Sequence, residues 1–180
     1  MQVGLIGAGN MARALARGWG DPVLCSDSGS GRARRLAEEL GGEALESNLE
    51  LTRRAELVIL CHKPAQLGKV AAEIAAEAKA VASVLGGVKL RTLQEAYPGV
   101  PVLRFLPNTP VEVRRGVTAY CVASDVDPEL ARPVVALFER LGTAVAVRDD
   151  LIDAVTALTG VGPAYDALLV EAQVDAAVRY

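Results

Sequence analysis

The sequence is poor in aromatic residues, has one histidine and three cysteines, and lacks any long apolar run. Each scarcity excludes something. Aromatics are 4% of the 180 residues while hydrophobic residues are 51%, so the core is expected to be aliphatic, built from Ala, Val and Leu. Basic residues never run longer than two, no stacking aromatics stand beside them, and the net charge is −3. Nucleic acid and an anionic membrane surface are therefore not expected as partners. The longest uncharged apolar stretches, such as 80–88, fall far short of the roughly 20 residues that span a bilayer. The single His62 and the isolated Cys25, Cys61 and Cys121 offer no metal-ligand spacing. The cysteines sit in or at the ends of apolar runs, as buried free thiols of a reducing cytoplasm do, which predicts a cytoplasmic protein. The first residues lack a basic region and read as a strand, so no secretory leader is expected.

What is present begins at the second residue. The apolar run 2–6 enters Gly7-Ala8-Gly9-Asn10-Met11-Ala12 and then an Ala-rich amphipathic stretch. Strand, tight turn and helix start in this order cradle a dinucleotide pyrophosphate. Gly7 permits the turn, and Gly9 lets backbone approach phosphate with no Cβ in the way. Ala12 is small enough for close helix–strand packing. The free N–H groups of the helix beginning near Asn10 face the anion, with the helix dipole behind them. A lone glycine fingerprint is weak evidence, and its position directly after a strand is what gives it weight. The competing reading is a glycine-rich turn of some other α/β protein.

Apolar runs then alternate with helical patterns. Strands are expected at 2–6, 22–26, 57–61, 80–85, 102–105, 117–122 and 144–147, and helices at 11–18, 32–40, 65–77, 90–97 and 128–141. The alternation predicts an α/β fold, a Rossmann-type doubly wound, mostly parallel sheet covered on both faces. After Asp149 the character changes: 150–158 and 163–179 read as helices joined at Thr159-Gly160-Val161-Gly162. The domains expected are a dinucleotide-binding unit over 1–148 and a helical segment over 149–180. The last helix is apolar on much of its surface and wants a partner, which predicts a homo-oligomer through the C-terminal helix.

Several segments carry possible chemistry. Asp27 lies 20 residues after Gly7, where an acidic side chain binds the adenosine ribose hydroxyls. Ser26, Ser28 and Ser30 with Arg32 close by suit a phosphate instead, and a third reading makes Asp27 a cap of the next turn or helix. His62 invites a general-acid reading, but nothing pairs it with a carboxylate, and an exposed loop residue is the blander reading. Lys63 is either near a cofactor or a solvated surface lysine. Gly86 and Gly87 end a strand, where backbone comes close either to a ligand or to its own turn. Pro107-Asn108-Thr109-Pro110 makes a stiff loop: Asn108 either faces a nicotinamide or bonds only to backbone. Thr159 to Pro163 is either an anion-binding helix start or a flexible joint between helices.

In this order the segments resemble the pyrroline-5-carboxylate reductase family. The resemblance rests on Ile6-Gly-Ala-Gly-Asn-Met-Ala12, on Asn48 upstream of Val58-Ile-Leu-Cys-His-Lys-Pro64, on Arg104-Phe-Leu-Pro-Asn-Thr-Pro110, and on Asp153-Ala-Val-Thr-Ala-Leu-Thr-Gly-Val-Gly-Pro-Ala-Tyr165. It covers essentially the whole chain. It implies reduction of the imino acid 1-pyrroline-5-carboxylate to proline with NADP or NAD as cofactor. It also implies that Gly7, Ala8, Gly9, Asn10, Met11 and Ala12 hold the pyrophosphate, while Ser26, Asp27, Ser28 and Asn48 face the adenosine. By the same resemblance Cys61, Lys63 and Pro64 line the cleft, Gly86, Gly87 and Asn108 lie towards the nicotinamide, and Thr159, Gly160, Val161, Gly162 and Pro163 bind the substrate carboxylate. No general acid is assigned, because a protonated imine is already electrophilic and positioning supplies much of the catalysis.

The chain departs from the family pattern at His62, where a small apolar residue is usual, and at Gly86, where alanine is. Ser28 stands where NADP-preferring members often carry Arg. Family members also continue beyond the position of Tyr180 as a helical dimerisation domain. A dinucleotide-binding module without competent reductase activity is therefore the alternative expectation. A β-hydroxy-acid dehydrogenase ranks below both, since it needs a catalytic Lys on a late helix and no Lys occurs after Lys89.

Overall fold

A computed structural model describes residues 1–179. One eight-stranded sheet has the order β3-β2-β1-β4-β5-β6-β7-β8. Its strands are β1 Val3–Ile6, β2 Leu24–Ser26, β3 Glu43–Ala44, β4 Leu57–Leu60, β5 Val81–Ser83, β6 Val102–Pro107, β7 Gly116–Val122 and β8 Gly142–Ala146. All pairs are parallel except β6 with β7. The chain runs outward through β1, β2 and β3, then crosses back to place β4 beside β1. This leaves a crevice between the ends of β1 and β4, where open α/β sheets hold ligands.

Helices cover both faces. They are α1 Asn10–Trp19, α2 Arg32–Leu40, α3 Asn48–Arg54, α4 Leu67–Ile74, α5 Leu90–Ala96 and α6 Pro128–Glu139. Side chains alternate across β4, as a strand's period of two requires. Leu57 and Ile59 join Leu15 and Trp19 of α1, Leu36 of α2 and Phe138 of α6 in one apolar layer. Val58 and Leu60 join Leu51 of α3, Val70 and Ile74 of α4 and Leu93 of α5 in the other. The few aromatics are concentrated in the first layer, where Phe105 stacks on Phe138 at 3.9 Å between ring centres.

The expected strands and helices are present, with two additions. β3 is only two residues long and too short to give a pattern. α3 does carry a sequence signal: Ser47 accepts a hydrogen bond from the Glu50 N–H at 3.3 Å, and Ser-x-x-Glu marks a helix start.

The segment after β8 differs from expectation. A 3₁₀ turn, Asp149–Leu151, leads into α7 (Ile152–Thr156), a π-helical turn (Ala157–Val161) and α8 (Gly162–Arg179) with no intervening loop. Gly160 and Gly162 are absorbed in a continuous helical run. The Gly162 N–H donates to the Ala157 carbonyl, an i to i+5 bond that keeps the helix going. Of the 149–180 segment, Tyr180 lies outside the described residues.

Candidate dinucleotide site

The crevice opens into a cleft of about 780 Å³. Its floor is the turn from β1 into α1. Gly7 has φ +100°, and a Cβ there would stand 2.7 Å from the Cys61 carbonyl carbon and the His62 nitrogen. Only glycine fits, because the turn is pressed against the strand that ends beside it. Gly9 is the opposite case: a Cβ on it would meet nothing within 4 Å. Space over Gly9 is kept open with no protein atom to fill it. Behind it, α1 starts with no side-chain cap and no acidic residue in its first turn. Its first N–H groups have no intrahelical acceptor and offer themselves to an anion. The residues present thus fit a pyrophosphate.

Of the sequence-predicted residues, Gly7, Ala8, Gly9, Asn10, Met11, Asp27, Ser28, Asn48, Cys61, Lys63, Pro64 and Gly86 line this one cleft. Ala12 is buried behind the turn, where it packs in the α1 layer. Ser26 is also buried, and its hydroxyl donates to Asn48 Oδ1 at 2.7 Å. Asn48 Nδ2 in turn donates to Glu73 Oε2 at 2.8 Å. Gly87 turns the chain at φ +74° and stands outside the lining, while a methyl group at Gly86 would touch nothing within 4 Å. The Gly86 departure therefore relieves no clash with a protein atom.

Asp27 is occupied by its own loop. Oδ1 accepts from the N–H groups of Gly29 and Ser30 at 2.8 and 3.1 Å, and Oδ2 accepts from Ser30 Oγ and the Ala33 N–H at 2.7 and 3.0 Å. Burial pushes this carboxyl up, but the hydrogen bonds outweigh burial and hold it at about 2. Of the three readings open in the sequence, the capping one matches the geometry.

His62 lines the cleft as well. Its Nδ1 lies 2.9 Å from the Lys63 carbonyl oxygen, which can only accept, so the proton resides on Nδ1. Burial lowers the imidazole below its ordinary range, only partly opposed by that hydrogen bond, and Nε2 is buried without a partner. The ring is a neutral wall and holds no proton ready for transfer at Nε2. Burial pushes the Cys61 thiol up to about 12, so it is no nucleophile. Among the described residues no cluster of His, Cys, Asp or Glu could hold a metal ion.

Sequence reasoning missed the α4 wall. Gln66, which caps α4, and Lys69 and Glu73 within it recur every three or four residues and line the cleft together. Their spacing was legible, but a polar helix face reads equally well as solvated surface.

Asn108 is not in the lining. Its Oδ1 accepts from the Val117 N–H at 2.8 Å and its Nδ2 donates to the Thr159 carbonyl at 3.0 Å. The amide is bonded to backbone at both ends and clasps the π-turn to β6 and β7, as in the second of the two readings left open by the sequence. Thr159 to Pro163 likewise present no open helix start, since Thr159 Oγ1 donates to the Val155 carbonyl at 3.0 Å and the N–H of Gly162 is bonded within the turn.

Residues 149–180 match the family model described as pyrroline-5-carboxylate reductase dimerisation, and residues 2–87 match that described as NADP oxidoreductase, coenzyme F420-dependent. The chain is 34% identical to a pyrroline-5-carboxylate reductase of Synechocystis over 99% of its own length and 70% of that relative's. It superposes with a TM-score of 0.91 at 30% identity on the 1-pyrroline-5-carboxylate reductase of Streptococcus pyogenes, covering 99% of this chain and 70% of that one. The pyrroline carboxylate reductase of Plasmodium falciparum, solved with NADP bound, gives a TM-score of 0.88 at 26% identity with the same coverage.

Proposed function

Because the chain belongs to the pyrroline-5-carboxylate reductase family, we propose that it reduces the cyclic imine 1-pyrroline-5-carboxylate to proline with NADPH or NADH. The observation that carries this reading is the open space over Gly9, framed by the bare N-terminus of α1 and the clash-limited Gly7.

A reduced nicotinamide supplies the hydride. The chain's own residues bind and orient. Gly7 to Met11 receive the pyrophosphate on backbone N–H groups. Asn48, fixed between Ser26 and Glu73, gives the adenosine end a rigid polar edge. Cys61 to Pro64 and Gly86 wall the cleft on the other side. Neither the neutral His62 nor the Cys61 thiol, both shifted by burial, is poised to give up a proton, and the reading takes the imine as bound already protonated. Thr159 to Pro163 contribute to the substrate carboxylate site as a helical surface, with Thr159 held by Asn108.

The reading divides the chain into a dinucleotide unit, 1–148, and a helical segment, 149–180, that takes part in a homo-oligomer. Every residue from 163 to 179 is exposed, including Leu168, Leu169, Val170, Val174 and Val178, and an apolar helix surface of this extent supports burial against a second copy. No described helix is long and apolar enough to cross a membrane, and the free cysteines support a reducing, cytoplasmic setting.

The test is to mix the purified chain with NADPH and 1-pyrroline-5-carboxylate. Loss of nicotinamide absorbance matched by proline formation is expected. Dinucleotide binding without turnover would leave a binding module and contradict the reductase reading.

A further inference from the structure

Arg104, Leu106 and Asn108 stand two residues apart along β6 and its end, which places them on one face of the strand. All three meet the helical run that follows β8. Arg104 donates to Asp149 and Asp153, Leu106 shares a buried cluster with Ile152, and Asn108 Nδ2 donates to the Thr159 carbonyl. The first two contacts pin α7 to the sheet. Beyond the third, every residue of α8 from 163 to 179 is exposed, so nothing in the chain pins α8.

Between α7 and α8 the helix changes its bonding, and Pro163 gives the reason. In a regular α-helix the N–H of residue 163 would donate to the Thr159 carbonyl, four residues back. Proline has no N–H, and its ring clashes with that carbonyl. The chain avoids the clash through the π-helical turn Ala157–Val161, which the Gly162 N–H closes on the Ala157 carbonyl. The Thr159 carbonyl is left without its α-helical donor, and Asn108 Nδ2 supplies one at 3.0 Å. Asn108 is only 9% exposed, and its Oδ1 is committed to the Val117 N–H, so the amide presents its NH₂ edge to Thr159 and to nothing else. A π-turn holds about one residue more than an α turn, which rotates all that follows by roughly 100° about the helix axis. With α7 pinned and α8 unpinned, the whole of that rotation falls on α8.

We propose that Pro163 and Asn108 are a matched positioning pair for the reductase reaction. The proline imposes the π-turn, and the asparagine takes the carbonyl that the turn leaves over. Together they set which side of α8 faces the rest of the active assembly. Neither is a catalytic residue, since both act through the rotation of α8. The proposal rests on the reductase reading.

The experiment compares native chain, Pro163→Ala, Asn108→Asp and the double variant by urea unfolding, by NADPH titration and by steady-state turnover of 1-pyrroline-5-carboxylate. Pro163→Ala removes the ring and restores an N–H, so the turn relaxes to an α-helix, Thr159 no longer needs Asn108, and the variant should melt no lower than native. Asn108→Asp should lower the folded-to-unfolded ratio about tenfold in the native background, but no more than about twofold when combined with Pro163→Ala. Each single variant should lower kcat/KM for the imine about tenfold while the NADPH Kd stays within about twofold. The double variant should be no more than about twofold worse than the poorer single, because both changes act on one element. Equal stability losses from Asn108→Asp in the two backgrounds, native turnover by Pro163→Ala, or kinetic losses that multiply in the double variant would overturn the pair. A native chain without turnover would overturn the reductase reading and the positioning role with it. The urea cycle needs no turnover, and it tells that failure from a failure of the pair.

Discussion

Arg104 on β6 and Asp149 at the start of the helical run form an ion pair, with Nη1 donating to Oδ1 at 2.6 Å. Nη2 of the same guanidinium donates to Asp153 Oδ1 at 2.9 Å. Arg104 is fully buried, whereas the side chains of Asp149 and Asp153 are 29% and 57% exposed. The Leu90 N–H adds a further bond to Asp149 at 3.2 Å. One arginine in the sheet therefore fastens α7, and with Asn108 it sets where the C-terminal helices stand.

Replacing Arg104 by Met should strip both carboxylates of their partner. Breaking a buried pair costs about 3–5 kcal/mol, and the lower end applies because the acids keep solvent. Urea unfolding should show a loss of about 3 kcal/mol, with faster amide exchange in 152–156. Arg104→Lys keeps the charge but not the fork, so it should fall between Met and native.

Gly7 and Gly9 separate packing from binding. Gly7→Ala drives a Cβ into Cys61 and His62 backbone at a positive φ, so the melting temperature should fall, by the equivalent of about 2 kcal/mol or more. Gly9→Ala meets no protein atom and should melt like native. Its methyl group stands where the anion is received, so its dinucleotide Kd should rise about tenfold or more. Unchanged affinity in Gly9→Ala would remove the pyrophosphate from this turn.

Asn108→Asp keeps the acceptor for the Val117 N–H but points a carboxylate oxygen at the Thr159 carbonyl. The lost donor should destabilise the chain by about 1–3 kcal/mol. Dinucleotide affinity should stay within about twofold, because Asn108 is outside the cleft. A tenfold loss of affinity with native stability would restore it to the cofactor site.

Acid should unfold the protein through its tethered carboxylates. Asp27 is held at about 2, and Asp149 is lowered as well, its Arg104 and Leu90 bonds outweighing burial. A carboxyl depressed in the folded state stabilises it above the unfolded value of about 4, and that contribution disappears as pH falls towards about 2. Melting temperature should therefore be flat above about pH 5 and drop steeply below 4. Asp27→Asn should melt lower at neutral pH and show a shallower acid limb. An acid limb identical to native would mean that Asp27 is not the tether of its loop.

Much of this was legible in sequence because it rests on local rules. Gly7-x-Gly9-x-x-Ala12 followed by an amphipathic stretch fixes strand, turn and helix within twelve residues, and the apolar runs at β1 and β4 give a doubly covered sheet. For Asp27 and Asn108 the sequence left several readings open, because their bonds depend on which hydrogen-bond partners the fold brings up. Val117 and Thr159 lie on either side of Asn108 only once β7 has folded back antiparallel to β6. Gly160 and Gly162 punctuate the sequence as a break, yet the π-turn carries the helix through them at no steric cost. Arg104, read from sequence only as part of a motif, is a buried cation whose partners lie about fifty residues on.

The most direct test of the whole account is transfer of label. Native chain is incubated with 1-pyrroline-5-carboxylate and NADPH deuterated at both positions of nicotinamide C4, and the proline is analysed by mass spectrometry. Proline carrying one deuterium, on the carbon that was the imine carbon, is the expected product. Unlabelled proline, or no proline despite saturating NADPH, would contradict it.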